Sequence, residues 1–483
     1  MGSKNKELEL KVIHFKEKCK RELRINRQLR KKVGEMTSSR DYWRKKHGAI
    51  KKEVKGLKRK VALFSSGKRR PILRHKYDIV TVNLCVSIYL LGGCGLRGVT
   101  RILEYLRLFL GLDIGEIPCK SSIENWVQKC GHYVYEHPDM PKYKDGYGLI
   151  IDECMVVGQE RMLAILGIKA NKESANALRL CDAEILSLEV RPSWSGAQIT
   201  ESLEKVGEKM GKKADYIISD GGSTMKKGIN GNKVPRICDC GHEIARHTEQ
   251  LYKDDERFKS FSAAVAQTKF KEVMKETSYL TPPRQRSIAR FMNLSATIDW
   301  AKRMLKNFDS FNEKEQKAYG CIKEYRGIVE ELDGIFETAN AILKLLKSNG
   351  LSFETIKKCN SICGKFAVKA QGLPAKWAGQ IEQYLQQEKT KLPDEKTVWN
   401  VSSDIIESLF GRFKTHKADN GLHGITPFAL VLPVLTKIDP DNQCINIDFK
   451  NALEGTFMTD LKKWNQDNLI ENQVVKRRRV LKI

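Results

Sequence analysis

The feature that most constrains the fold is a change of hydrophobic period at Gly146. Before it, apolar residues recur at helical spacing. After it they come in short β-rich runs: "YGLIIDECMVV", "RMLAILGIKA" and "AEILSLEVRP". "AQITESLEKVGEKMG" then reads as a helix, "ADYIISDGG" as a strand ending in a carboxylate and two glycines, and "STMKKGI" as a short helix. "KVPRICDCGHEIARHTEQLY" closes the series as strand, turn and helix. Three strands, helix, strand, helix, strand, helix predicts an α/β sheet with crossover connections. From about Lys253 to Glu395 the patterns are helical, and a last helix begins with "SSDIIES".

The chain's charge speaks to its partners. Lys and Arg exceed Asp and Glu by 86 to 59, a net +27, which favours a polyanion, most simply nucleic acid. An anionic membrane surface is the competitor, but no run of about 18 apolar residues occurs. The most apolar stretch, Ile79 to Leu91, is broken by Thr81, Asn83 and Ser87 and reads as a core helix. The charged N-terminus has no apolar segment behind it, and the 13 cysteines are scattered and odd in number. Both suit a reducing cytosol, so an intracellular protein that handles DNA or RNA is expected.

Residues 1–61 carry 22 Lys/Arg against 7 Asp/Glu, so 15 of the 27 excess charges lie there. Stepping three then four from Val12 gives Val12, Phe15, Cys19, Glu22, Asn26, Leu29, Val33, Met36, Arg40, Trp43, His47, Ile50, Val54, Leu57 and Val61. Eleven of these fifteen are apolar, in one register, which predicts a coiled coil over 1–63 that pairs two chains or more. Asn26 at an a-type position would help set register and a two-stranded state. A long solvated basic helix is the plainer alternative.

Residues 64–145 open with the linker "SSGKRRP" and continue as three helical patterns, near Tyr77 to Leu91, Gly98 to Leu110 and Ser121 to Tyr135. The third follows Pro118 and a Ser pair able to cap it. Short helices with a polar, basic start to the last suggest a helix-turn-helix. Lys120, Ser121, Ser122 and Asn125 would then face DNA, while Ile123, Trp126 and Val127 pack inward. A plain three-helix bundle is the alternative.

Three carboxylates complete the pattern. Asp152 follows "GLII" in the first strand, on the opposite face from Glu153. Asp220 ends the fourth strand. The element order is that of an RNase H-like sheet, in which these two strands are neighbours. Like charges that close are unfavourable unless cations neutralise them, which turns a repulsive pair into a Mg²⁺ site.

"IIDE" with Asp152, "ISDGG" with Asp220 and "IIESLFGRFK" with Glu407 resemble the DDE transposase and integrase superfamily, and more closely the bacterial insertion-sequence transposases. The resemblance covers about residues 146 to 440. It implies that Asp152, Asp220 and Glu407 are the catalytic residues and bind two Mg²⁺ ions, with Mn²⁺ as substitute. The family commonly places a Lys or Arg seven residues after its Glu, here Lys414, and often a Cys or Asp, two residues, then His, here Asp239 and His242. His242, Lys414 and Arg412 would support the site. Family members with a long gap before the Glu carry an insertion there, so 146–252 and 396–440 would be two parts of one core around an all-α insertion at 253–395.

The resemblance implies a transposase that binds the terminal repeats of a bacterial mobile element as double-stranded DNA, cuts it and joins it to target DNA. It places the protein in the cytoplasm at the nucleoid. Arg284, Arg286 and Arg290 in "TPPRQRSIARFMN" would clamp phosphates, or form a solvated helix start. Residues 441–483 read as a basic tail whose end, "VVKRRRVLKI", alone resembles a nuclear localisation signal. Asp404 competes with Glu407 as third ligand. Cys238, Cys240, His242 and His247 could form a zinc site, although the first spacing is short for one. A non-catalytic DNA-binding scaffold of transposase descent, or a structure-specific nuclease of RNase H-like fold, are the rival functions.

Overall fold

A 64-residue helix, α1 (Gly2–Ser65), opens the chain without interruption, as a segment free of proline allows. The computed structural model describes residues 2–65, 72–111, 114–155, 160–173, 175–284, 291, 294–416, 424–471 and 473–482. These fall into two units, one of residues 1–71 with 78–80, and one of 72–77 with 81–483.

The helices α2 (Ile79–Leu90), α3 (Leu96–Leu110) and α4 (Lys120–Glu136) lie within a few residues of the expected ones. The cap of α4 differs from expectation. Cys119 is the N-cap, the Ser pair lies inside the first turn, and the Ser122 hydroxyl sits 3.4 Å from the Cys119 thiol. The helix starts at Lys120, one residue before the Ser pair, and no side chain caps it.

The sheet has five strands in the order β3-β2-β1-β4-β5. β1 (Tyr147–Met155), β2 (Arg161–Lys169) and β3 (Glu184–Arg191) pair antiparallel in sequence. α5 (Gly196–Met210) crosses over to β4 (Tyr216–Ser219), which lies parallel to β1, and α6 (Ser223–Asn232) leads to β5 (Arg236–Cys238), parallel to β4. One face of the sheet packs Leu149, Ile151, Leu163, Ile165 and Ile217 against Ile199, Leu203, Val206 and Met210 of α5 and Met225 and Ile229 of α6. This alternation hands every second side chain of β1 and β4 to the other face.

α7 (Cys240–Tyr252) leaves β5, and six helices follow: α8 (Glu256–Glu272), α9 (Leu294–Asn307), α10 (Glu313–Tyr319), α11 (Arg326–Asn349), α12 (Phe353–Ala367) and α13 (Leu373–Lys389). The chain returns to the sheet with α14 (Asp404–His416) and α15 (Val431–Leu435), and a two-residue-per-strand hairpin of β6 (Ile438–Asp439) and β7 (Cys444–Ile445) follows. Residues 441–483 are more than a tail. α16 (Phe449–Gly455) and α17 (Met458–Asn468) bury Phe449, Leu453, Leu461 and Trp464 and pack on α4, leaving the arginine run to α18 (Gln473–Leu481). The charge of the last residues masked these four apolar anchors in the sequence. No described helix is long and apolar enough to cross a membrane.

α4 also packs so closely against residues 427–430 that a Cβ on Gly131 would lie 1.7 Å from the Leu430 carbonyl oxygen. That neighbour is backbone and cannot rotate away. Gly131→Ala should therefore cost about 3 kcal/mol or more in urea unfolding, whereas Gly48→Ala on α1, which meets nothing within 4 Å, should leave the second unit's transition unmoved.

Candidate active site

Parallel pairing between β1 and β4 sets Ile150 opposite Ile218, an offset of 68 residues. The same offset, carried two residues on, brings Asp152, in the second half of β1, level with Asp220, the first residue past β4. Both belong to the face not covered by α5 and α6. Glu153 projects to the opposite side and pairs with Arg161 at 3.0 Å.

The Asp220 turn is held at two points. Its carboxylate accepts the Gly222 N–H at 3.0 Å, and its carbonyl accepts from the Arg236 guanidinium at 2.8 Å. A side chain at 222 would stand 3.1 Å from the carboxylate, which explains the second glycine of "DGG". Arg236 also reaches the Cys238 sulfur at 3.1 Å. Nothing in the residue types marks Arg236 for this role, because it acts on a backbone carbonyl.

The third element is α14, whose buried residues Ile405, Ile406, Leu409, Phe410 and Phe413 form the stripe that packs it down. Glu407 stands on its exposed side, with His242 Nε2 3.0 Å from its Oε1. Asp404, one turn earlier, is taken by Lys347 of α11 at 2.5 Å. So the two competing acids have different partners: Asp404 holds a helix, and Glu407 faces the histidine. Lys414 is exposed and lies about 20° around the helix from Glu407. Arg412 falls about 140° from Glu407 and lines a groove with Asp404 and Ser408 instead. The structure does not bring it to the carboxylates.

One buried carboxylate ties these parts together. Asp239, 2% exposed, accepts the His242 N–H at 2.8 Å as N-cap of α7, and the Ser403 N–H at 2.6 Å and hydroxyl at 2.9 Å at the start of α14. Its own N–H donates to the Ser219 carbonyl, beside Asp220, and the next N–H donates to Val401. The ends of two helices thereby stabilise its charge, while it fixes them to β4.

The electrostatics follow from the geometry. Burial, then the Asp220 charge, push the Asp152 carboxyl up to about 7; Glu407 adds to this, and the Glu153 N–H and His242 oppose it. The hydrogen bond to Glu407 holds the His242 imidazole up at about 9 against burial, helped by the charges of Asp239, Glu407 and Asp220. His242 is thus a cation at neutral pH, and its contribution to stability is complete below about 6.5 and lost as pH rises through 9.

The other predicted residues lie elsewhere. Lys120 and Ser121 are exposed at the start of α4 and Ser122 and Asn125 half-buried, while Ile123, Trp126 and Val127 are buried. Arg284 is exposed; Arg286 and Arg290 lie outside the described residues. The zinc set does not assemble: Cys238 binds Arg236, His242 faces Glu407, and His247 Nδ1 lies 3.3 Å from Gln380. Among the described residues no three His, Cys, Asp or Glu side chains stand close enough to hold one ion, and Glu407 is turned to His242. The donors at the site are nonetheless all carboxylate oxygens, the chemistry that suits a hard divalent cation. No protein family and no curated protein matches the chain.

Ionising Asp152 costs the folded state between pH 3.8 and about 7. The full difference is at most ~4 kcal/mol, and ~2 kcal/mol is expected for a half-buried side chain. Asp152→Asn should therefore unfold at higher temperature than wild type in EDTA above pH 7, with the gain vanishing near pH 4. A variant no more stable than wild type at pH 8 would contradict the raised Asp152 pKa.

Proposed function

We propose that this chain is a DNA transposase of a bacterial mobile element, with an RNase H-like core whose Asp152, Asp220 and Glu407 bind two Mg²⁺ ions. The observation that carries the reading is the pairing of Asp152 and Asp220 on neighbouring parallel strands, with Glu407 arriving on the same electrostatic cluster from α14. The order Asp, Asp, Glu and a Lys seven residues after the Glu agree with the resemblance noted in the sequence.

When bound, two such cations supply activation of the attacking oxygen and stabilisation of the leaving one. The three carboxylates would hold them, Glu407 leaving His242 to do so. His242, cationic at neutral pH, is left free to meet a phosphate oxygen once Glu407 turns. Lys414, exposed about two turns along the same face, suits a phosphate contact beyond the reacting bond. Asp239 and Arg236 position rather than react: one sets α14 against α7, the other sets the Asp220 turn.

The rest of the chain serves DNA in this reading. Lys120, Ser121, Ser122 and Asn125 of α4, with Arg284, would contact the terminal repeats. The exposed apolar stripe of α1 would pair two protomers as a coiled coil so that both element ends are held. A net charge of +27 implies DNA binding that weakens steeply with salt.

A cleavage and joining experiment on labelled DNA from the flanks of the gene, with Mg²⁺ or Mn²⁺, tests this. Glu407→Gln should lose at least ~100-fold in both steps, whereas Asp404→Asn should keep most activity because its carboxylate only anchors Lys347. Loss in Asp404→Asn alone would move the third ligand. Binding of the ends by wild type without any cleavage would leave a scaffold protein instead.

A further inference from the structure

The heptad of α1 carries an asymmetry that pairing in one direction resolves and pairing in the other does not. Phe15, Leu29, Val33, Met36 and Trp43 are 53–72% exposed, a row of large apolar side chains on one face of the helix. A helix of this kind gains most of its stability from packing such a face. The Lys and Arg rows along the same helix make an acidic or neutral partner the simple guess. The core positions themselves point to a second copy of the same helix.

Between Phe15 and His47 the heptad holds ten core positions, and two of them, Glu22 and Arg40, carry a full charge. A parallel, in-register pair would stack Glu22 on the partner's Glu22 and Arg40 on the partner's Arg40. Each layer would bury like charges, among the costliest things a core can hold. Glu22 is a d-type position and Arg40 an a-type position, and in an antiparallel pair a-type residues of one helix meet d-type residues of the other. Lys31 is their midpoint. A two-fold axis beside Lys31 sets Glu22 against the partner's Arg40, and the symmetry repeats the ion pair on the other side.

The remaining layers then follow with no further choice. Cys19, the smallest core side chain, meets the partner's Trp43, the largest. Phe15 meets the partner's His47, Leu29 the partner's Val33, and Asn26 the partner's Met36. The parallel pair would gain one Asn26 layer, a neutral contact, and lose two charged ones. The antiparallel pair sets the basic flanks (Lys16, Arg30 and Arg44 on one side, Lys18, Lys32 and Lys46 on the other) beside their counterparts. Those side chains are exposed, so water and salt screen their repulsion. We propose that α1 pairs with a second copy of itself as an antiparallel coiled coil centred on Lys31, held in register by two Glu22–Arg40 ion pairs. The proposal rests on the chain pairing suggested above and adds its direction and register.

The test uses the full chain. In Trp43→Cys, mild oxidation followed by peptide mapping should yield a disulfide between Cys19 and the thiol introduced at position 43. On one helix these positions are ~36 Å apart, so that bond can only join two chains. Wild type under the same conditions should form no Cys19–Cys19 disulfide; finding one would overturn the antiparallel arrangement. By sedimentation, Glu22→Arg should weaken the dimer at least tenfold, and Glu22→Arg with Arg40→Glu should restore it. A dimer indifferent to Glu22→Arg overturns the proposal while the pairing stands. A chain that stays monomeric at every concentration and salt overturns the pairing itself and leaves the catalytic reading to its own experiment.

Discussion

Two carboxylates level with each other on neighbouring parallel strands repel, and the rest of the site is arranged around that repulsion. Strand pairing leaves no choice about it: Ile150 and Ile218 are fully buried and fix the register that carries Asp152 and Asp220 side by side. Folding tolerates the pair because burial and the Asp220 charge raise the Asp152 carboxyl to about 7, so that part of it stays protonated at neutral pH. A proton is a poor permanent solution at that pH, and a divalent cation is a better one. A carboxyl raised by burial and by a second acid makes this end of the sheet a candidate cation site, the reading proposed above.

Glu407 lies 187 residues beyond Asp220, and something must return it to the right place. Asp239 does much of this. A single buried carboxylate caps α7, receives two hydrogen bonds from Ser403 and sits next to the β4 end. Lys347, from the middle of the helical region, holds Asp404 at the other side of the same helix start. Tyr216, stacked on Trp399 with ring centroids 4.5 Å apart and accepting the Asn400 N–H, fixes the approach of the chain to α14. The helices between β5 and α14 therefore contribute to the position of Glu407, though none of them supplies a carboxylate to it.

Much of this arrangement was legible in the sequence. The apolar runs before Asp152 and Asp220 are short and rich in isoleucine, which suits buried strands, and two glycines after Asp220 mark where the strand must end. What stayed hidden depends on contacts distant in sequence. Asp404 and Glu407 are both acidic and in the first turn of one helix; beyond the Lys414 spacing, their roles are separated by Lys347 on Asp404 and His242 on Glu407, both distant in sequence. Arg236 acts through a carbonyl, which leaves no trace in residue type. Arg412 looked like a partner of Glu407 in a basic run, but helical geometry turns it to another groove. The apolar anchors of α16 and α17 were lost among charges because each is a single residue per turn.

Anomalous diffraction from crystals soaked in Mn²⁺ decides whether these carboxylates form one metal site. Two manganese peaks about 3.5–4 Å apart are expected between Asp152, Asp220 and Glu407, with His242 no longer bonded to Glu407. Manganese bound elsewhere, or a site completed by Asp404 with Glu407 still on His242, would contradict it.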